Sequence, residues 1–474
     1  MTTPVRRAVS GLVPTAPTTR ERLAHPLQTT AGLAVAVVAF AFQQTSIVPA
    51  VHDVQQSLHG TAEWSSWLVT VYLMVATVAT PALGRLGDLH GRRRVLLAGL
   101  AAFAVASIGA AAAPNLAVLL CWRAVQGVGG AVYPLALALA RGGVPEQRSK
   151  MVMSLLAGAF GVGTGLGFVA GGLLSEYVSW RAIFWVGAGL VALAVWLAMR
   201  VVPDSGDRAT GGFDVAGTVE LAVAAVALLA GLTLVVSLGW RSPVTIGLFV
   251  VAVVLSVVWV RHERRTQDPL VDLGVLRNRR VTAANLATVA LGWALFGSFL
   301  LIPRFARVDP VHAGFGLGLG SALIGLVMLP LAAGQAVAGP VAGVLSRRVP
   351  SAVVFAGGLV LVAGGLVLLA TTRTGAPLVA VGALLLGAGA GAALQSGSMV
   401  ATDAVAPDVA AVSAAVNSTV RRLAGGIGGQ VDTVLLASIA AGSRAYVVSY
   451  ALAAGICVVG AGLALSAGRR PAPR

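Results

Sequence analysis

The chain has 474 residues, of which 57% are hydrophobic and only 11% are charged. A soluble protein usually carries about 25% charged residues, so the composition excludes an ordinary soluble domain and indicates a polytopic membrane protein. The net charge of +16 comes mostly from arginines between apolar segments. The positive-inside rule explains that distribution, and we therefore expect a lipid bilayer around the chain and no nucleic-acid partner.

Fourteen apolar segments are long enough to cross a bilayer, which takes roughly 20 helical residues. They predict an all-α polytopic membrane protein with 14 transmembrane helices. The predicted spans are residues 30–51, 64–84, 94–113, 116–140, 150–174, 181–202, 215–237, 243–261, 281–303, 316–345, 351–372, 376–400, 413–440 and 446–468. Cys121 and Cys457 both lie inside these segments, so we expect neither a disulfide framework nor a metal site.

The placement of arginines predicts the orientation. Connections after odd-numbered spans hold six arginines, whereas the two tails and the other connections hold nearly all the rest. Basic residues accumulate on the cytoplasmic side, so both termini are expected in the cytoplasm. Residues 1–29 precede an apolar segment that is too long for a signal-peptide core, and we interpret them as a cytoplasmic tail. Residues 469–474 are a second, short tail.

An internal repeat predicts two related halves. The pattern Pro-x-x-Gly-x-Leu occurs at 81–86 and again at 340–345, and a basic segment follows each copy. Span 10 is therefore interpreted as a repeat of span 2. This makes residues 30–202 an N-terminal six-helix half and residues 281–468 a C-terminal six-helix half. Residues 203–280 are then a two-helix insert with its flanking loops.

The connection between spans 2 and 3 carries the most distinctive motif. From Gly84 to Arg94 it reads GRLGDLHGRRR, with spaced glycines around one acid and a block of arginines. It resembles the loop motif of the major facilitator superfamily. Fourteen spans with a two-helix insert resemble the 14-span drug:proton antiporter family within it, of the bacterial multidrug and antibiotic exporter type. The resemblance covers residues 30–468 and implies two six-helix halves that move around a central cavity.

Two further motifs carry the same resemblance. In span 4, Arg123 and Gln126, followed by three glycines, are similar to the R-x-x-Q-G pattern of the family. In span 5, a set of glycines at four-residue spacing is similar to its antiporter motif, although Phe168 stands where the family usually has proline. The glycines of this set are Gly163, Gly167, Gly171 and Gly172. Glycine on one helix face permits close packing, and here it predicts a gate between moving helices.

The motif between spans 2 and 3 is predicted to be a conformational latch formed by Gly84, Asp88, Gly91, Arg92 and Arg93. Asp88 would accept hydrogen bonds from a neighbouring helix N-terminus or from an arginine in one state and release them in the other. The alternative is a topogenic loop whose arginines only set the orientation. The repeated copy has an arginine in place of the acid, so the latch is expected in the first half alone.

Two charged residues inside spans are candidates for proton coupling. A charge near the middle of a span costs at least about 2.5–3.5 kcal/mol, so it needs a polar cavity or a partner. The resemblance assigns Arg123 the place of the family's proton-relay arginine; the alternative is a structural ion pair. Asp432 is the only acid well inside a span of the second half. A buried carboxyl can exchange a proton, or it can remain neutral and hydrogen-bonded as a packing element.

Five glutamines inside spans are candidates to line the substrate cavity, because amides that face lipid are costly. They are Gln43, Gln44, Gln126, Gln395 and Gln430. The alternative role of each is to connect helices by hydrogen bonds. Gln43 and Gln44 also stand in span 1, where the family often carries an acid, which leaves the proton coupling open.

The sequence contains no catalytic elbow, no nucleotide-binding loop and no metal-spaced cluster of His and Cys, so we expect no enzyme activity and no cofactor. The resemblance implies a monomeric exporter in the bacterial cytoplasmic membrane that exchanges hydrophobic or amphipathic small molecules for protons. One alternative is an uncoupled facilitator, or a lipid or metabolite exporter, of the same fold. Another, from a different class, is a membrane sensor or scaffold that does not transport.

Overall fold

The computed structural model describes residues 26–143, 146–203, 212–266, 269–271, 273–405, 410–439 and 442–468. All regular secondary structure in these residues is helical, and each of the fourteen predicted spans corresponds to a helix. The long helices are α1 (Pro26–Thr45), α2 (Ala62–His90), α3 (Arg92–Ala111), α4 (Leu116–Gln126, which continues as Val132–Gly143), α5 (Glu146–Tyr177), α6 (Trp180–Val201), α7 (Val215–Leu238), α8 (Pro243–Glu263), α9 (Arg279–Arg307), α10 (Ser321–Leu345), α11 (Ser351–Thr371), α12 (Ala376–Asp403), α13 (Ala410–Ser438) and α14 (Ser443–Gly468).

The helices have the length and composition of membrane spans. Among the described residues, thirteen helices are long and apolar enough to cross a bilayer. The remaining long helix, α13, falls outside this set and carries Arg421, Arg422 and Asp432. The prediction of an all-α polytopic membrane protein is confirmed. The predicted tail at 469–474 and residues 1–25 of the predicted tail at 1–29 lie outside the described residues. The last four residues of that tail, 26–29, are already part of α1.

Two predicted boundaries are wrong for reasons that the backbone makes clear. The stretch from Gly84 to Arg94 is not a loop: α2 continues to His90, and α3 begins at Arg92. Gly91 alone interrupts the helices, with a φ of 101° that favours glycine. Span 10 does not begin at residue 316, because several glycines with positive φ, including Gly316, hold residues 314–320 in an irregular segment.

The same helix neighbours occur in the first six and the last six long helices. In the first set, α1 packs on α5 and α6, and α3 packs on α4 and α6. In the second set, α9 packs on α13 and α14, and α11 packs on α12 and α14. The two patterns match when every helix number is shifted by eight. This agreement supports the division into two related halves with α7 and α8 between them, which remains a prediction.

Two helix pairs join the two sets. α5 packs along α10, and α2 packs along α13. Under the same shift by eight, one pair is the equivalent of the other, as expected for a pseudo-two-fold arrangement. Helix α7 packs on both α2 and α13, whereas α8 packs on α7 and exposes most of its side chains. The α5–α10 and α2–α13 contacts are therefore the two seams along which the halves meet.

Candidate transport site

Arg123 lies completely buried in α4, where a break in the helix brings it against α2. Gly127 begins a short 3-10 segment, and a Cβ at this position would lie 2.9 Å from the carbonyl oxygen of Tyr72. The close approach places the Arg123 guanidinium 4.7 Å from the centroid of the Tyr72 ring. Its Nε donates a hydrogen bond of 2.8 Å to the carbonyl oxygen of Leu68. The cation is thus held by a ring face and a backbone carbonyl.

The first predicted glutamine cluster completes this network within the N-terminal half. Arg123 Nη1 donates to Gln126 Oε1 at 2.8 Å and to the Gln43 carbonyl oxygen at 3.4 Å. The amide nitrogens of Gln43 and Gln126 both donate to Ser107 Oγ, at 2.6 and 2.9 Å. Gln43, Gln126 and Arg123 therefore connect α1, α3 and α4. A direct contact with substrate stays a prediction for both glutamines.

No ion pair of Arg123 occurs among the described residues, and its Nη2 has no hydrogen-bond partner there. A buried cation without a counter-charge is expensive in a membrane. The sequence left a structural ion pair open as the alternative role of Arg123. The contacts among the described residues include no such pair. They leave a guanidinium that is held by neutral groups and whose Nη2, with two N–H donors, has no partner among the described residues.

Asp432 is completely buried in α13 at the contact with α9. A Cβ added to Gly297 of α9 would collide with Asp432 Oδ2, so this glycine creates the space for the carboxyl group. The indole of Trp293 lies close enough to interact with the carboxyl but not in hydrogen-bonding geometry. Within the described residues, neither carboxyl oxygen has a hydrogen-bond partner. The sequence left open that Asp432 is a neutral acid fixed by hydrogen bonds. The described contacts of its carboxyl group include no such hydrogen bond.

Gln430 lies at the α2–α13 seam. Its amide nitrogen donates to Thr70 Oγ1 at 2.9 Å, and its carbonyl oxygen accepts from Thr233 Oγ1 of α7 at 3.1 Å. Trp67 of α2 donates its indole N–H to the same threonine at 2.7 Å. Gln430 therefore connects both halves and the insert. Gln395 is half-buried in α12 and faces Gly343 of α10.

Gln44, the remaining predicted glutamine, is buried beside Gln43 in α1. No hydrogen bond of its side chain occurs among the described residues, which leaves the amide available to a ligand or to water. Its place in a substrate cavity stays a prediction.

Arg422 of α13 is a functional candidate that the sequence reasoning missed. Its guanidinium crosses the α2–α13 seam and donates to the carbonyl oxygens of Gly130 at 2.8 Å and Ala76 at 3.1 Å, and also to Thr80 Oγ1. All three acceptors belong to the first half and carry no charge. The adjacent Arg421 instead donates to Ser418 Oγ of its own helix, at 3.1 Å. The sequence feature that could have identified Arg422 is the presence of two arginines, Arg421 and Arg422, inside one predicted span.

The predicted latch residues lie together at one end of α2 and α3. Asp88 pairs with Arg92 across the Gly91 interruption, with Nε and Nη2 both 2.9 Å from Oδ1. Arg93 Nη2 donates to the carbonyl oxygen of Met199 in α6 at 2.7 Å. These contacts lie within the first half, whereas Arg85 of the same motif donates through Nε to the carbonyl oxygen of Gly212 in the predicted insert, at 3.2 Å. Whether Asp88 exchanges partners during transport stays a prediction.

The glycines of α5 divide between two neighbours. Cβ atoms at Gly163 and Gly167 would approach the backbone of α1, and one at Gly171 would approach the backbone of Ser46 directly after it, all within the same half. A Cβ at Gly172 would instead meet the backbone of α10, in the other half. Two glycines outside the predicted motif, at 161 and 165, also face α10. The spacing therefore fits close packing within the half, and only the last member lies on the seam. The gate role remains a prediction.

At the other end of the bundle, acids of the first half contact the second half directly. Asp53 pairs with Arg307 of α9 at 3.0 Å and accepts hydrogen bonds from Ser175, at 2.6 Å, and from Ser321. Glu176 accepts a hydrogen bond of 2.8 Å from the backbone N–H of residue 322 and so caps the first turn of α10. Glu176 thus makes the contact with a helix N-terminus that was one of the two alternatives for Asp88, whereas Asp88 itself pairs with an arginine, the other alternative.

A cavity of about 450 Å³ lies beside these contacts. It is bounded by the short helix Val51–Ser57, the ends of α9 and α13, and the starts of α10 and α14. Its lining is mainly apolar and includes Arg304 and Arg307. The volume is within the range of small-molecule sites.

Comparisons with known proteins agree with this architecture. The sequence profile of the Major Facilitator Superfamily matches residues 33–218 and 208–429. The Tetracenomycin C resistance and export protein of Streptomyces glaucescens is 28% identical over 87% of this chain and 76% of its own length. Multidrug resistance protein Stp of Mycobacterium tuberculosis is 31% identical over 82% of this chain and 72% of its own. Multidrug efflux pump LfrA of Mycolicibacterium smegmatis is 29% identical over 86% and 79%.

Proposed function

The chain belongs to the Major Facilitator Superfamily, and on this premise we propose that it exports hydrophobic or amphipathic small molecules from a bacterial cell in exchange for protons. The names of its relatives support drug or antibiotic export. The proposed place is the cytoplasmic membrane, with both termini in the cytoplasm and the monomer as the working unit. Helices α1–α6 would rock against α9–α14 around a central site.

Asp432 is the observation that carries the proton-coupling proposal. It is completely buried, and its carboxyl oxygens have no hydrogen-bond partner among the described residues. A charged carboxylate in such a place is costly, so the protonated form is favoured as long as α9 and α13 enclose it. Rocking of the halves leaves α9 and α13 on the same side, so proton release would require α9 to move against α13 within the second half and admit water. Proton release would then depend on the conformation of the protein, as antiport requires.

Arg123 is proposed to support the coupling from the other half. Its guanidinium is held by Leu68 and Gln126 but retains an unpaired Nη2 among the described residues. A change at the α2–α4 contact would alter these partners and the cost of burying the charge. The family resemblance assigns this position to the proton relay, and the Tyr72 contact provides a neutral resting place for the cation.

Proteoliposomes that contain a trapped pH-sensitive dye test the proposal. A panel of neutral and charged amphipathic compounds is added under an imposed pH gradient, and proton movement and compound movement are recorded together. We expect compound-dependent proton flux with the wild type and its loss with Asp432→Asn. Asp403→Asn, which changes an exposed acid at the end of α12, is the matched control and should retain the flux. Compound export that continues unchanged without a pH gradient would contradict antiport.

An uncoupled exporter of metabolites or lipids is the second candidate. Gln43 occupies a region where the family often carries an acid, and its side chain is committed to Ser107. Phe168 replaces the usual proline of the α5 motif and packs edge-on against Phe299, with ring centroids 5.4 Å apart. Substrate movement with Asp432→Asn equal to that of the wild type would favour this candidate. The absence of compound movement with either protein would favour the sensor or scaffold.

A further inference from the structure

The cavity between the two halves has an aromatic wall and a basic edge. Phe299, Phe315 and Tyr446 are among its lining residues, and so are His52, Arg304 and Arg307. No Asp or Glu is among the lining residues in the described part of the chain. We propose that this cavity binds anionic aromatic compounds, such as aryl carboxylates, with the acid group on Arg304. The inference rests on the proposed export function and names its substrate class.

Arg304 is the group that can receive the anion. Its Nη2 donates one hydrogen bond of 3.0 Å to the carbonyl oxygen of Ala62, at the start of α2. A guanidinium has five N–H donors, so this contact leaves most of them for a ligand. Among the described residues Arg304 forms no ion pair, although Glu63 interacts with it over a longer distance. Its charge is therefore only partly compensated.

Arg307 makes the cavity more selective without being the principal anchor. Its Nη2 is 3.0 Å from Asp53 Oδ1, so a local acid already balances this charge. Asp53 is itself absent from the cavity lining, whereas Arg307 is present. A bound organic cation would therefore meet two guanidinium groups and no carboxylate. An organic anion would meet one paired and one available guanidinium.

The aromatic side chains are positioned independently of the ligand. The ring of Tyr446 packs against Phe305 and Phe315 at centroid distances of 5.5 and 5.7 Å. Phe299 packs edge-on against Phe296 at 5.5 Å. Rings that are already fixed lose little freedom when a flat ligand binds against them. The wall therefore recognises the aromatic body, while Arg304 distinguishes its charge.

Arg304 also has a purely structural interpretation, because its bond to Ala62 connects the second half to the first. A structural role would change the stability of the protein without distinguishing anions from cations. The experiment must therefore compare ligands that share one ring system and differ in charge. Naphthalene-2-carboxylate, 2-naphthol and 2-naphthylmethylammonium form such a series near neutral pH.

Binding is measured by equilibrium dialysis with the full chain in nanodiscs of phosphatidylcholine, and empty nanodiscs give the background. We expect saturable binding of the carboxylate and much weaker binding of the other two compounds. Arg304→Gln should weaken carboxylate binding by roughly 10- to 100-fold, since a hydrogen bond to a charged group is lost. Arg304→Lys keeps the charge and should retain binding within about tenfold.

Arg181→Gln is the matched control. This arginine also donates to a backbone carbonyl oxygen, that of Ala113 at 3.0 Å, but it does not line the cavity. It should leave carboxylate binding unchanged. Phe315→Leu should weaken the binding of any aromatic member of the series that binds measurably, because it removes part of the ring wall.

Equal binding of the three compounds, or carboxylate binding that Arg304→Gln leaves unchanged, would overturn the proposed site. Binding that falls equally with Arg304→Gln and Arg181→Gln would also overturn it, since loss of structure would then explain both results. Charge-selective binding without proton-coupled export would retain the site and refute the antiport proposal. Export of other compounds without carboxylate binding would refute the site and retain the exporter.

Discussion

Replacement of Arg422 by glutamine should weaken the α2–α13 seam. It should therefore increase the population of molecules in which the two halves separate at the end of the bundle where α2 and α10 terminate. Arg422 makes three hydrogen bonds across the seam, to Gly130, Ala76 and Thr80. Glutamine is shorter and can keep about one of them. Interhelical hydrogen bonds inside membranes contribute about 0.6 kcal/mol on average and about 1.7 kcal/mol at most. The loss of two therefore costs about 1 to 3 kcal/mol.

A change of this size shifts a two-state equilibrium by roughly 5- to 150-fold. Arg421→Gln is the matched control, because Arg421 is the neighbouring residue but bonds within its own helix to Ser418. Both variants remove one cation from α13, a half-buried one at Arg421 and a buried one at Arg422. Only Arg422→Gln removes contacts with the first half. The difference between the two variants therefore reports the effect of the hydrogen bonds across the α2–α13 seam.

Pulsed electron–electron double resonance between spin labels at residues 90 and 347 measures the distance between the two halves at this end. Both positions are exposed, at the ends of α2 and α10. The native cysteines are first replaced by Cys121→Ser and Cys457→Ala. We expect a larger population at long distances for Arg422→Gln than for Arg421→Gln or the wild type. Identical distance distributions for the three proteins would refute the assignment of Arg422 as a tie between the halves.

Two further substitutions test other parts of the fold. Asp88→Asn removes a half-exposed i,i+4 pair worth less than about 1 kcal/mol, so it should leave the amount of inserted protein unchanged on immunoblots while it lowers export. If Asp88→Asn exports as well as the wild type, the latch is refuted and the motif only sets the orientation of the helices. Gly171→Ala drives a methyl group into the backbone of α1 and should cost about 1–3 kcal/mol in thermal unfolding in detergent, whereas Gly158→Ala, with open space at its Cβ, should be neutral. Equal melting temperatures for the two alanine variants would contradict the close α1–α5 packing.

The number and order of the helices could be predicted from the sequence, because the cost of exposing a backbone to lipid makes every long apolar segment a helix. The same reasoning failed at the motif of Asp88, where polarity suggested a loop. Polar residues there extend the helix beyond the apolar segment, and Gly91, with its positive φ, is the one residue between α2 and α3. Hydropathy does not distinguish a polar helix end from a loop.

The site could be predicted only in part. The contact between Arg123 and Gln126 follows from their spacing of three residues on one helix, and the burial of Arg123 follows from its position inside a span. The partners of Gln430 and Arg422 lie hundreds of positions away in α2, α4 and α7, and the spacing along α13 contains no information about them. The cavity was also hidden, since Arg304 appeared only as one of several arginines in loops and helix ends.

The hydrogen bonds between Trp67, Thr233 and Gln430 mean that α7 is not a removable addition to a twelve-helix core. Deletion of residues 203–280 would take away the hydroxyl group that receives the indole N–H and donates to the amide oxygen. The indole N–H of Trp67 and the amide oxygen of Gln430 would then lose this partner inside the membrane, at a cost of several kcal/mol. A shortened descendant of this protein would therefore need apolar substitutions at both positions, which makes the gain or loss of the insert a coordinated evolutionary step.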